Sequence, residues 1–346
     1  MAQAKPSLNL SSEQLVKTVL NSIERERERE IVARRFGLFE RKETLEQIGE
    51  MLGITRERVR QLEKSVVTRL RTMAEQGTIP NLAEFQDRIK ILLEKTGKVA
   101  RVSHITAEIS DDSNREEQSR VAFLAQLCPE LTVIQEDDTY NYSVGLKSEF
   151  DEKTLKNKVE SLVSVIKKMG EPKSISEIAN AATIEDSIEA EALATTSKQL
   201  ATLNNRWGLV RWPMVNPKNI RDKIYVILKE NGKHMHFNDI AATIKDSDFK
   251  RKDVTTQAIH NELIKDKRFV LIGRGIYALK EWGYEKGTVA DIITEVLKDA
   301  NEPLHRDEIV KRVLKSRFVK ETTILLNLQG KPQFKRVAKA TYALSE

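Results

Sequence analysis

One spacing recurs four times along the chain, and it constrains the fold more than any single residue does. An apolar residue near a helix end is followed four positions later by Gly or Asn, and eight positions after that by Ile. The copies are Leu93, Gly97, Ile105; Ile166, Gly170, Ile178; Leu228, Gly232, Ile240; and Leu297, Asn301, Ile309. A period kept this strictly means one small supersecondary unit copied along the chain, not one large core. Each copy reads as helix, tight turn, a short segment with Ser or His (Ser103, Ser174, His236, His305) near the next helix start, and more helix. Each also ends in residues enriched in aromatic and β-branched types: YNYSVGL (140–146), RWGLVRW (206–212), FVLIGRGIYAL (269–279) and FKRVAKATYAL (334–344). A closing hairpin is the simplest reading of those ends. Three helices and a hairpin in about sixty to seventy residues make the winged-helix arrangement, an elaboration of the helix-turn-helix. The expected fold class is mainly α with small β-hairpins. The last two copies agree best, because a constant shift of 65 takes Val254 to Val319, Phe269 to Phe334, Arg274 to Lys339 and Tyr277 to Tyr342.

Pro and Gly clusters or lapses of pattern mark linkers near 77–81, 147–151, 213–217 and 283–287. Five units are predicted: 1–80, 84–148, 152–213, 217–285 and 286–346. A chain of 346 residues with only 5% aromatics suits several small cores better than a single large one. The net charge of +6 is too modest to prove a nucleic-acid partner, so its distribution matters more. Residues 84–150 carry 8 basic against 13 acidic residues, whereas the 214–285 and 286–346 segments are each net basic by 4.

Several classes are disfavoured. No stretch approaches the roughly twenty apolar residues of a membrane span, and the start MAQAKPSLNLSSEQL lacks a leader's apolar core. A cytoplasmic protein with no membrane partner is expected. Cys128 is the lone cysteine, and the scattered His104, His234, His236, His260 and His305 offer no zinc spacing, so neither metal nor cofactor is expected. His234 and His236 suit neighbouring places on one strand face. No phosphate-binding Gly loop, nuclease-like carboxylate cluster or nucleophile with a nearby base is visible, which argues against an enzyme.

The segment TLEQIGEMLGITRERVRQLE (44–63) places Leu45, Ile48 and Leu52 on one face of a first helix and Val59 and Leu62 on one face of a second. Gly49 is small where the helices must approach, Gly53 permits the positive φ of the turn, and Thr55 is placed to cap the second helix. Arg56, Arg58, Arg60, Gln61 and Lys64 then face largely outward, a surface suited to phosphates and base edges. These residues resemble region four of the housekeeping-type bacterial sigma factors. Arg35-Phe36-Gly37-Leu38, Thr44 to Gly49 and Thr55 to Glu63 follow the family's order, and the likeness covers about residues 12–78. It implies double-stranded promoter DNA of the minus-thirty-five kind and the RNA polymerase core as partners, with a cytoplasmic, nucleoid-associated location. It also implies that Arg56, Glu57, Arg60 and Gln61 approach base edges. The residue types suit that role: Arg bonds guanine in a bidentate way, Gln bonds adenine, and Glu accepts from the cytosine amino group. Arg58, Lys64, Arg69 and Arg71 are the phosphate candidates. The competing reading is a solvated helix face with intrahelical pairing. The alternation ERERERE (24–30) is read as an exposed, mostly structural helix. Only about forty residues precede the motif, and the family's aromatic promoter-melting region is not among them, so a regulator or accessory factor is expected.

Residues 217–285, with RDKIYVILKENGKHMHFNDIA, VTTQAIHNELIKD and RFVLIGRGIYALKEWG, resemble a HARE helix-turn-helix domain, a family that includes the delta subunit of some bacterial RNA polymerases. Residues 286–346 resemble a divergent second copy. Thr255 is placed to cap a helix that turns Gln257, His260 and Asn261 outward, with Ala258, Ile259 and Leu263 inward. Arg274, between two glycines, lies at the expected wing tip, where an Arg can enter a narrow minor groove, and Lys339 occupies the matching place. The alternatives are a solvated turn residue for Arg274 and a surface or capping role for His260. The shifted counterparts Thr322, Leu325 and Leu326 suit packing or a protein partner, and Glu136, Asp137 and Asp138 of the acidic unit oppose a phosphate backbone. Three function classes stay open: a promoter-binding factor that contacts polymerase, a polymerase-associated accessory or scaffold protein, and, less favoured, the specificity subunit of a nuclease.

Overall fold

The computed structural model describes residues 11–249, 253–284 and 286–345. The first ten residues of the predicted 1–80 unit, residues 250–252 and 285 of the 217–285 unit and the last residue of the 286–346 unit fall outside them. The chain is mainly helical with small antiparallel sheets, and it divides into two compact units, Met1–Arg211 and Trp212–Glu346. Among the described residues no helix is long and apolar enough to cross a membrane.

Unit 1 begins with four helices, α1 (Ser12–Asn21), α2 (Glu26–Phe36), α3 (Leu45–Leu52) and α4 (Arg56–Glu75). The first repeat follows as α5 (Leu82–Lys95), β1 (Val99–Arg101), α6 (Val102–Ile109), α7 (Arg115–Leu127), β2 (Leu131–Ile134) and β3 (Ser143–Leu146). The second is α8 (Glu152–Met169), β4 (Lys173–Ser174), α9 (Ile175–Ala181), α10 (Ser187–Thr196), β5 (Leu200–Leu203) and β6 (Arg206–Leu209). Unit 2 holds α11 (Ile220–Asn231), β7 (Met235–His236), α12 (Phe237–Asp246), α13 (Thr256–Lys265), β8 (Phe269–Gly273) and β9 (Ile276–Leu279). Its second half is α14 (Val289–Ala300), β10 (Leu304–His305), α15 (Arg306–Ser316), α16 (Glu321–Gly330), β11 (Phe334–Ala338) and β12 (Thr341–Leu344).

The four repeats share one topology. In each three-stranded sheet the last strand lies between the other two, as in β1-β3-β2 and β7-β9-β8, and every pairing is antiparallel. The expected plan of three helices and a hairpin therefore lacked one strand. The short segment after each turn is extended, and it pairs with the final strand before the next helix begins. Its polar residue does a second job in three copies. Ser174 closes a capping box with Glu177, His236 Nδ1 accepts from the Asn238 N–H at 3.2 Å, and His305 Nδ1 accepts from the Asp307 N–H at 3.4 Å. Ser103 departs from the pattern, because it lies inside α6, whose N-cap Arg101 makes no side-chain cap. The hairpin expectation also needs correction in the first two repeats. The 140–146 and 206–212 segments each supply only the second strand, and β2 and β5 come from less aromatic stretches.

The repeat residues themselves are core. Ile105, Ile178, Ile240 and Ile309 are fully buried, as are Leu93, Ile166 and Leu228. Gly170, Gly232 and Asn301 end their helices in the left-handed conformation that relieves a helix C-terminus. The 65-residue shift extends to irregularities, since a bulge separates Leu271 from Gly273 in β8 and another separates Arg336 from Ala338 in β11.

The core of unit 1 does not stop at the predicted border near residue 80. One buried cluster runs from Val16, Val19 and Leu70 through Phe85 and Ile105 to Val121 and Phe123. The link is α7, the third helix of the first repeat. Its Phe123 ring lies 4.9 Å from that of Phe36, its Arg120 Nε donates to the Leu38 carbonyl at 2.8 Å, and the Ser12 hydroxyl donates to Glu117 at 2.5 Å. A related junction ties the second repeat to the first: the Asn141 N–H donates to the Thr196 carbonyl at 2.8 Å, and Lys198 donates through its N–H to Thr139 and through Nζ to Glu136. Gly97 makes this approach possible, because a Cβ there would come within 2.5 Å of the Ile188 carbonyl oxygen.

If α7 is the central strut, Phe123→Ala destabilises unit 1 by about 3–5 kcal/mol, whereas the exposed Leu326→Ala changes unit 2 by less than about 0.5 kcal/mol. Urea unfolding of the full chain followed by far-UV circular dichroism checks both.

Candidate nucleic-acid interface

The α3–α4 pair forms because each end is chemically fixed. The Thr44 hydroxyl accepts from the Gln47 N–H while the Gln47 side chain accepts from the Thr44 N–H, closing a capping box on α3. Gly53 then turns the chain at φ 64°, and the Thr55 hydroxyl accepts from the Arg58 N–H at 3.2 Å to cap α4. Gly49 marks the closest approach, since a Cβ there would stand 2.7 Å from the Ile54 carbonyl oxygen. Ile31, Ile48 and Val59 are fully buried between the helices, with Leu45, Leu52, Ile54 and Leu62 around them.

With Val59 and Leu62 facing in, the first turns of α4 leave Arg56, Glu57, Arg58, Arg60, Gln61 and Lys64 exposed on one surface. Two pairs pre-arrange it. Arg60 clasps Glu57 through Nε at 2.9 Å and Nη2 at 2.7 Å, which holds the Glu57 carboxyl below its ordinary pKa, and Arg58 Nη1 reaches Gln61 Oε1 at 3.4 Å. Both members of the Glu57–Arg60 pair are more than half exposed, so solvent screens it and it opens readily for a base edge. Intrahelical pairing and an open reading surface therefore coexist.

The other two phosphate candidates are differently engaged. Arg69 Nη2 lies 2.7 Å from Glu28 Oε2, and Glu28 is buried between α2 and α4. Arg71 Nε donates to the Gln126 carbonyl at the end of α7 at 3.0 Å. The alternating ERERERE run, expected to be an exposed helix, is thus partly internal. Glu28 accepts from Arg69 and Arg25, and Arg27 Nη2 donates to the Leu52 carbonyl at 2.5 Å. A charge run hides such a residue because nothing local distinguishes a carboxylate that will meet an Arg forty positions away.

The likeness to known proteins falls on this same segment. Residues 25–72 match the family described as Sigma-70, region 4. That domain type binds DNA and contacts RNA polymerase. The match spans α2 to α4, so the capped pair and the exposed arginines all lie inside it. The chain is also similar to the RNA polymerase sigma factor RpoD of two strains of Helicobacter pylori, at 46% identity over 59 residues in each case. Those stretches cover 16% of this chain and 9% and 8% of the relatives, so the chain spans under a tenth of their length.

The region-4 match ends well before unit 2, where a second candidate surface lies. Thr255 caps α13 by accepting from the Ala258 N–H, as its position suggested, and Gln257 and Asn261 are exposed and bonded to each other at 3.2 Å. His260 departs from the outward expectation. It is half-buried, with ring centroids 5.1 Å from Phe237 and 6.2 Å from Tyr277. The His234–His236 face also dissolves, because β7 begins at Met235 and His234 stacks on Phe318 at 4.3 Å. Arg274 and Lys339 are exposed in the tight turns of their hairpins. Beside the Arg274 turn, the Phe318 N–H donates to the Ile272 carbonyl and Arg317 Nη1 donates to the Leu271 carbonyl, covering the edge of β8. In the fourth repeat Leu326 is 68% exposed on α16. The acidic hairpin of the first repeat is tied down: Glu136 pairs with Lys198, and Asp137 accepts from the Thr139 and Tyr140 N–H groups at 2.7 Å each, which lowers its pKa.

Two outcomes separate these roles. Arg69→Ala lowers the stability of unit 1 by about 1–3 kcal/mol because it strips a partner from a buried carboxylate, and pairing it with Glu28→Ala loses less than the sum, as a double-mutant cycle in urea measures. Arg274→Ala leaves the fold intact while duplex affinity falls and its salt slope shrinks by about one; an unchanged slope assigns that turn to a protein partner.

Proposed function

We propose that this chain is a DNA-binding transcription factor, not an enzyme, that works as a partial sigma factor in the cytoplasm, at the nucleoid. It reads double-stranded promoter DNA of the minus-thirty-five kind through α4 and contacts the RNA polymerase core during initiation. The observation that carries the reading is the exposed set Arg56, Glu57, Arg60 and Gln61 at the capped start of α4, inside the stretch that matches Sigma-70, region 4. Arg58 and Lys64 flank this set and serve as phosphate contacts. Lys64 lies one turn beyond Arg60, where a duplex seated on the first turns of α4 brings its backbone. Arg69 and Arg71 enter this scheme as supports for α4.

The four repeats are read as winged-helix units, the last two of HARE type. Their shared sheet order and the bulge kept across the 65-residue shift support one ancestral plan. The exposed Arg274 and Lys339 turns suit phosphate contact. The alternative function, an accessory protein resembling the delta subunit that grips polymerase without reading promoters, draws support from the acidic first repeat and from the exposed Leu326.

Binding-site selection with the full chain distinguishes the two. Gln61→Ala and Arg60→Ala relax the selected motif at separate positions, each lost base contact lowering discrimination by about 1–3 kcal/mol. Lys64→Ala weakens all sequences alike and reduces the salt slope by about one. Identical motifs from Gln61→Ala, Arg60→Ala and the parent would remove α4 as a reading helix.

A further inference from the structure

Away from the exposed surface of α4, unit 1 contains a cleft of about 390 Å3 between the turn that joins α2 to α3 and the starts of α6 and α7. Four basic side chains line it: Arg41 and Lys42 from the turn, Arg101 ahead of α6, and Arg115 in the first turn of α7. Of the carboxylates on the same walls, Glu116 lies 3.6 Å from Arg120 and Glu136 lies 2.8 Å from Lys198, so each already has a cation elsewhere. Glu40 is the third, and it is exposed. Among the described residues no hydrogen bond or ion pair ties up the side chains of Arg41, Lys42 or Arg115.

Arg101 is fixed differently. Its Nε donates to the Thr195 carbonyl, which orients the guanidinium and leaves its terminal nitrogens available. Desolvation and the nearby Arg35 hold Lys42 below its ordinary pKa, and burial does the same to Arg101. Four cations thus share these walls with three carboxylates, and although Glu63 and Glu136 attract Lys42, neither closes an ion pair with it. The hydroxyls of Ser103 and Ser119 add neutral donors to the same walls.

We propose that this cleft binds a phosphate-bearing small molecule of nucleotide size. Its volume falls within the roughly 300–1,000 Å3 of ordinary ligand sites. Phosphate oxygens are the acceptors that guanidinium and ammonium groups recognise through short, charge-assisted hydrogen bonds. No residue of the α4 reading set lines the cleft, so the site is independent of the promoter-reading proposal. Because the turn before α3 and the first repeat contribute opposite walls, a bound anion bridges the two and strengthens the junction built by α7.

The test is isothermal titration calorimetry of the full chain with pyrophosphate and with ATP, alongside duplex titrations. The expected result is saturable binding of about one equivalent that weakens about ten-fold or more in the Lys42→Ala/Arg115→Ala double variant, as loss of charge-assisted bonds requires. Arg60→Ala and Gln61→Ala leave it unchanged, and Lys42→Arg retains it. An unaltered thermal unfolding midpoint for the double variant, with duplex affinity kept within about two-fold, completes the support. The proposal is overturned if neither probe binds, or if binding survives in the double variant. It is equally overturned if the double variant loses duplex affinity while the parent binds neither probe, because the four cations then serve a DNA backbone.

Discussion

The third helix of the first repeat is packed from both sides, and the rest of unit 1 is arranged around that fact. Within its own repeat α7 supplies Val121, Leu124 and Leu127 to the core. Toward α1, α2 and α4 it presents Phe123, Glu117 and Arg120. That face is covered by α1, α2 and α4 of the same chain, which holds α4 against the first repeat. Arg71 belongs to the same junction, because it joins α4 to the Gln126 carbonyl near the end of α7.

The repeats show how one plan is put to different uses. Their turns and central isoleucines are held in common, since the helix C-terminus and the buried contact at Ile105, Ile178, Ile240 and Ile309 are needed in every copy. What varies is the surface of the third helix and the hairpin. In the first repeat these surfaces meet neighbouring segments of unit 1, with the acidic residues of its hairpin held by Lys198 and by backbone N–H groups, and in the second α10 packs against β1 while the β5–β6 turn is exposed. In the last two repeats the hairpin turns remain exposed and basic at Arg274 and Lys339.

Much of this was legible in the sequence where short-range chemistry decides the outcome. The capping roles of Thr55 and Thr255, the left-handed Gly53 and the close packing at Gly49 follow from residue types within a few positions of one another. The third strand of each sheet was missed because two or three extended residues carry no period, and their pairing partners lie 32 to 46 residues away. The buried place of Glu28 and the second engagements of Arg69 and Arg71 were hidden for the same reason. Their partners are distant, and an alternating charge run looks solvated until the fold buries one member. His260 faced outward by helical spacing alone, yet the aromatic rings of Phe237 and Tyr277 draw it inward. The cleft cations are the extreme case, because Arg41, Lys42, Arg101 and Arg115 converge from three separate elements and share no motif.

The central claim is that the first turns of α4 touch base edges while α7 holds them in place. Photo-crosslinking tests it most directly: a crosslinking amino acid is placed at position 61 of the full chain, and duplex promoter DNA and RNA polymerase core are supplied together. The account predicts crosslinks from position 61 to bases of one duplex segment. Crosslinks from that position to polymerase alone, with none to DNA, would contradict it.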